Sequence, residues 1–98
     1  MTYGVIHHFG GGTEDQYQAS IRAVHPPDGS LPAGQLLHEA GPSADGWTIF
    51  AVHDSKESWE TFRDSTLMPR MQAGIAGGFT EPPQETVFEV VNEVRPPA

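Results

Sequence analysis

The segment Trp47-Thr48-Ile49-Phe50-Ala51-Val52 reads as the strongest strand of the sequence, and it is apolar on both of its faces. Strand alternation sends Trp47, Ile49 and Ala51 to one side and Phe50 and Val52 to the other, so both sides of the sheet it joins need cover. The chain has 98 residues, enough for one hydrophobic core and no second one. A domain of this size folds alone with little to spare. Residues 1–98 are therefore expected to form a single domain with a short Pro-rich tail at 95–98, and a second copy of the chain is the natural cover for whichever sheet face the helices leave bare.

The remaining elements follow from local patterns. Tyr3 to Phe9 is short, β-branched and aromatic, and Gly10-Gly11-Gly12 stops it, which makes a first strand. Thr13 opens a helix with Gln16 in a capping box, and Tyr17, Ile21 and Val24 form its apolar stripe. Pro26-Pro27 ends that helix, and residues 28–34 are turn chemistry. Gln35 to Ala40 is a weaker strand, separated by a loop over Gly41–Gly46 from the strand above. Asp54 or Ser55 caps a second helix, with Glu57 completing a D-x-x-E box and Trp59 and Phe62 on the buried stripe. Pro69 interrupts it, leaving Met68 to Ile75 as a short offset helix with Met71 and Ile75 turned inward. An exit loop through Glu81–Glu85 leads to a last strand, Thr86 to Val94. The order β-α-β-β-α-β is the split-βαβ, ferredoxin-like unit: a four-stranded antiparallel sheet with two helices on one face. On the last strand, Val87 and Val91 are expected on the bare face, opposite Phe88 and Val90.

Charge narrows the function. Five Lys and Arg against thirteen Asp and Glu give a net charge of −8, which removes the electrostatic drive for nucleic acid or anionic membranes. The absence of Cys excludes disulfides, thiolate catalysis and Cys-held metal sites. No basic leader or membrane-length apolar run is present, so a cytoplasmic location is expected.

Several segments together resemble one superfamily. Tyr3-Gly-Val-Ile-His-His-Phe9, Gly46-Trp-Thr-Ile-Phe-Ala-Val-His-Asp54, the helix Ser55-Lys-Glu-Ser-Trp-Glu-Thr-Phe-Arg63 and the break Thr66-Leu-Met-Pro-Arg70 are similar to the dimeric α+β barrel proteins. That superfamily includes the antibiotic-biosynthesis monooxygenase-like and stress-responsive A/B-barrel groups. The resemblance covers the whole chain and implies a homodimer whose two sheets form a barrel, with a ligand site between each sheet and its own helices. Its members span cofactor-free oxygenases, isomerases and haem enzymes, so it implies a fold more narrowly than a reaction.

Five His beside a single Lys are the chemically distinctive feature, since His exchanges protons near neutral pH. His7 and His8 are consecutive on a strand and point to opposite faces, one to the helices and one to the dimer. His53 is expected to end a strand running parallel beside the first, and His38 sits on the neighbouring hairpin strand. His7 or His8 with His53 are thus the candidate proton-transfer groups, each also readable as a hydrogen-bonded core residue. His25, at a helix end, reads as a positively charged cap. Trp47, Phe50, Trp59, Phe62 and Met71, with His38, would wall a site for a flat organic molecule, or simply be core. Arg70 would hold an anion at its mouth or pair at the surface. Glu39, Glu89 and Glu93 lie on strands, where a carboxylate near a His would orient it. No metal-ligand spacing, nucleophile elbow or phosphate-loop pattern is present, and Glu14 and Asp15 argue against an anion after Gly10-Gly11-Gly12.

Two readings stand from the sequence. One is a small enzyme needing no cofactor that acts on an aromatic or enolisable molecule as an oxygenase, isomerase or cyclase. The other is a non-catalytic dimer that binds a small ligand or responds to stress; a haem or metal protein is a third.

Overall fold

Strand β1 spans Tyr3–Gly10 in the computed structural model of the protein, which describes residues 1–97. Gly11 stops β1 with a φ of 70°, a left-handed turn that glycine takes without strain. The capping box forms as expected: Thr13 Oγ1 accepts from the Gln16 backbone N–H, and Gln16 Oε1 accepts from the Thr13 N–H. Helix α1 covers Glu14–Val24 and ends at His25, before the two prolines.

Strand β2 runs Gln35–Ser43, longer than its sequence suggests, and only Ala44 and Asp45 separate it from β3, Gly46–His53. A bulge at Leu36 shifts the β2 register. The expected cap of the second helix is corrected in detail. Ser55 caps it by accepting from the Ser58 N–H, so Asp54 is not the cap and Glu57 closes no box. Helix α2 is Lys56–Phe62, and a π-helical turn over Arg63–Leu67 joins it without a break to α3, Met68–Ala73. Pro69 therefore does not interrupt the helix as expected: the π-helical turn directly before it accommodates a residue that cannot donate an N–H. Strand β4 is Gln84–Glu89, earlier and shorter than expected. The expected tail is described through Pro97, and Ala98 lies outside the described residues.

The strands order β2-β3-β1-β4, and every neighbouring pair is antiparallel. His53 therefore does not end a strand parallel to β1. The β1–β3 register sets it opposite Tyr3, at the far end of the strand from His8. In a βαββαβ chain the α1 crossover returns β2 in the direction of β1 and the hairpin then reverses β3, which is why the central pair is antiparallel.

Tyr3, Val5 and Trp59 are buried together with Phe62 and Leu67 packed against them, which fixes the helix-covered face of the sheet. By register the same face carries His7, Phe9, Trp47, Ile49, Ala51, His53 and Val87. The other face carries Ile6, His8, Phe50, Val52 and Phe88. The parity expected for β4 is thus reversed: Phe88 is on the bare face and Val87 opposite buried Val5, while Val91 lies beyond the strand. Phe88 lies across Gly4, where a Cβ would collide with the ring. Phe88 and Leu37 are 41% and 40% exposed, so an apolar outer face is real in the single chain.

Candidate functional site

A cavity of about 900 Å³ opens between the sheet and its helices, a size suited to a small organic molecule. Val5, Phe9, Ile49, Trp59, Phe62 and Met71 supply much of its wall. The π-helical turn adds Leu67 and Arg63, and the loop after α3 folds Phe79 onto Phe9 with ring centroids 3.7 Å apart. Two polar groups interrupt this lining.

The first lies between the central strand and β4. His7 Nε2 meets Glu85 Oε2 at 2.8 Å, and the imidazole packs 5.7 Å from the Trp59 ring. The β1–β4 register places the two residues directly opposite each other. With Nε2 committed to the carboxylate, Nδ1 is the nitrogen left for a ligand. The carboxylate also fixes the orientation of the imidazole in the cavity wall. Sequence reasoning looked to Glu39, Glu89 and Glu93 for such a partner. It missed Glu85 because the Pro82-Pro83 pair made the preceding stretch read as loop up to that point.

The second group is a chain of side-chain hydrogen bonds on β2, β3 and α1. Tyr17 Oη lies 2.6 Å from His38 Nε2, His38 Nδ1 3.0 Å from Gln35 Oε1, and Gln35 Nε2 3.3 Å from His53 Nε2. His25 meets His38 edge to face at 4.8 Å. Burial pushes the His25 imidazole down to about 4, with the neighbouring His38 adding to the effect. Burial likewise lowers His38, and it lowers His53 against the opposing influence of Asp54; it raises the Tyr17 phenol. All four groups are thus neutral near pH 7. This corrects the reading of His25 as a charged cap: only its backbone N–H serves α1, by donating to Ile21 O, while the ring faces the cavity uncharged.

His7, His53, His38, Trp59, Phe62 and Met71 are therefore brought to one cavity. His8 is not. It stands on the outer face, where Nδ1 meets Thr48 Oγ1 at 3.0 Å and Nε2 meets Asp45 Oδ1 at 3.1 Å, tying the β2–β3 hairpin together. Phe50 also faces outward. Trp47 is buried against Tyr17, 5.3 Å between rings, as core behind the site. Arg70 is turned away to donate to the Ala23 carbonyl near the end of α1 and lines a separate cleft. Arg63 is the arginine at the cavity wall, and it is held bidentate by Asp64 at 2.8 and 3.2 Å. Nothing in its sequence context marked it, because the π-helical turn that presents it has no sequence signature of its own.

Among the described residues, no group of three or more His, Cys, Asp or Glu is arranged to hold a metal ion. Among the same residues, no helix is long and apolar enough to cross a membrane.

No protein-family model and no curated protein matches the chain. Solved structures do. Rv0793 from Mycobacterium tuberculosis superposes with a TM-score of 0.70 at 21% identity, covering 97% of this chain and 100% of that one. A candidate antibiotic biosynthesis monooxygenase from Chloroflexus aurantiacus J-10-fl gives 0.63 at 19% identity, with 97% and 98% covered. The monooxygenase from the gene ActVA-Orf6 of Streptomyces coelicolor, solved in complex with the ligand nanaomycin D, gives 0.63 at 14% identity, with 98% and 92% covered. The chain shares the ferredoxin-like α+β fold of these structures.

Proposed function

We propose that the protein is a cytoplasmic, homodimeric, monooxygenase-like enzyme that needs no cofactor and acts on an aromatic or enolisable organic molecule by histidine proton transfer. The observation that carries this reading is His7, hydrogen-bonded to Glu85 in the wall of a largely apolar cavity. A neighbour of the same fold that binds nanaomycin D lends it support.

In this reading His7 Nδ1 removes a proton from a carbon acidified by a carbonyl or aromatic ring, and Glu85 stabilises the resulting imidazolium. The carbanion passes one electron to dioxygen, and the two radicals combine into a peroxide anion. His7 returns the proton, and loss of water leaves a carbonyl, so that CH₂ and O₂ become C=O and H₂O. Aromatic walls keep bulk water from the carbanion. His53, with His38 and Gln35 behind it, belongs to the same wall as a buried neutral group. The apolar outer face, with Phe50, Val52 and Phe88, is the surface on which two copies would meet sheet to sheet.

Oxygen uptake and product absorbance with anthrone, whose CH₂ lies between two aryl rings, test this. Wild-type protein is expected to exceed spontaneous oxidation. His7→Ala should lower the rate by roughly 10²-fold or more, and Glu85→Gln by about tenfold. Anthrone binding without turnover would overturn the enzyme and leave a ligand-binding dimer.

A further inference from the structure

The hydrogen-bond chain from Tyr17 to His53 can run in two directions, and the direction decides what the cavity wall offers. In the first, the phenol donates to His38 Nε2, His38 Nδ1–H donates to Gln35 Oε1, and the Gln35 amide N–H donates to His53 Nε2. The proton of His53 then sits on Nδ1. In the second, the amide is turned over, every bond reverses, and His53 Nδ1 is a bare lone pair. Both leave the imidazoles neutral.

Two observations favour the first direction. The 2.6 Å separation between Tyr17 Oη and His38 Nε2 is short, as expected when the more acidic phenol donates to the more basic imidazole nitrogen. The Gln35 amide oxygen faces His38 and its nitrogen faces His53. At the end of the chain, His53 is 0% exposed and its Nδ1 has no partner among the described residues. A buried N–H without an acceptor is rare in folded proteins and points to a group that is missing. His53 forms part of the cavity wall, with Trp59 at 5.5 Å and Phe62 at 6.1 Å from its ring. A side-chain rotation in this packing would open Nδ1 to an acceptor in the cavity.

We propose that the His53 Nδ1–H is the cavity's recognition group for the carbonyl oxygen of an uncharged, flat ligand, and that Gln35 and Tyr17 are positioning residues that hold His53 as the donor. The ligand is uncharged because Arg63, the sole Arg or Lys among the described wall residues, is already held by Asp64 with Glu60 and Glu85 close by. The proposal rests on the reading of this cavity as a ligand site, and not on turnover there.

Nitrogen-15 NMR of histidine-labelled protein reads the tautomer directly. In the ligand-free wild type, His53 is expected to carry its proton on Nδ1; a proton on Nε2 overturns the proposal. Fluorenone and fluorene then form a matched pair of flat probes that differ by one carbonyl. Fluorenone should bind about tenfold tighter, the worth of one net hydrogen bond, and should shift the Nδ1–H resonance. Equal affinities, or no binding of either probe, would also overturn it. In Gln35→Glu the carboxylate accepts from both imidazoles, so His53 should switch to Nε2–H and the ketone preference should vanish. If that variant does not fold, the wild-type tautomer and the probe pair still decide. An intact ketone preference in a protein that never turns over anthrone would sink the enzyme and leave this inference standing.

Discussion

His7 and His8 are neighbours in the chain, yet they belong to two different environments. The helix-covered face of the sheet holds His7 with His25, His38 and His53 around a cavity of about 900 Å³. The outer face holds His8 at a hairpin, bonded to Thr48 and Asp45, beside exposed apolar side chains. The same residue type is thus a wall of an apolar pocket on one side and a polar clasp on the other. The difference teaches that histidine count locates chemistry poorly here, and that strand parity with register locates it well.

The sharpest way to break this contrast is to remove the packing that one face has and the other lacks. Trp59 is 3% exposed and touches Tyr3 and Val5 as well as the His7 and His53 rings. Trp59→Ala should cost about 3–5 kcal/mol, a large part of a small domain's stability, and urea unfolding measures it. Phe50→Ala on the outer face should cost less than half as much in the monomer. Equal losses would mean that the two faces are not packed differently.

Next comes the outer face itself. If two copies meet there, Phe88→Asp buries a charge at their junction and should raise the dimer dissociation constant by about 100-fold, near 2.7 kcal/mol. Sedimentation equilibrium across a concentration series reads this, with Phe79→Asp on the cavity side as a variant that leaves association unchanged. A wild-type monomer at all concentrations would remove the outer face as an interface.

Much of this was legible in the sequence, for reasons that mark where legibility ends. The Thr13–Gln16 box and the two-faced Trp47–Val52 strand are local patterns, and both hold. Period-two alternation separates His7 from His8, but which of them faces the helices depends on whether Tyr3 and Val5 or Gly4 and Ile6 go inward. The packing of Trp59 decides that, from more than fifty positions away. His53 does end its strand, but that strand runs antiparallel to β1 where a parallel one was expected, because strand direction follows from connectivity and not from composition. Gln35 and Glu85 were missed for a shared reason: each is an ordinary polar residue whose role comes from the partner that the fold sets opposite it, whereas Arg63 is presented by a π-helical turn that leaves no mark in the sequence.

The two faces also titrate in different ranges of pH. His25 ionises at about 4 in the folded chain against 6.5 when free, and His38 and His53 are shifted the same way. Below pH 6.5 the unfolded chain takes up these protons first, so the stability they contribute is full above 6.5 and drains away as the pH falls toward 4. The share of His25, reduced for its partial exposure, is about 1–2 kcal/mol, and His25→Gln should flatten the decline by that amount in urea titrations from pH 7 to 4. On the outer face, hydrogen bonding to His8 holds the Asp45 carboxyl below its usual range. Its contribution is present above pH 3.8 and is lost only at lower pH, so the two faces separate on the pH axis.

The smallest expected effect is the one that tests the contrast most directly. His8 shares a strand with His7 and its side chain is partly exposed, so a role in the cavity would have to act through the sheet. Its bonds to Thr48 and Asp45 close a hairpin that Gly11 also ties, through its N–H to the Asp45 carbonyl at 2.8 Å. Replacing it should therefore cost about 0.5–1 kcal/mol of stability, the worth of a partly exposed hydrogen bond. In His8→Ala, ligand affinity and any turnover should stay within about twofold of wild type, a difference of roughly 0.4 kcal/mol. A loss comparable to that in His7→Ala would show that the faces are coupled through β1. The division between the cavity face and the outer face would then fail at the strand on which it is drawn.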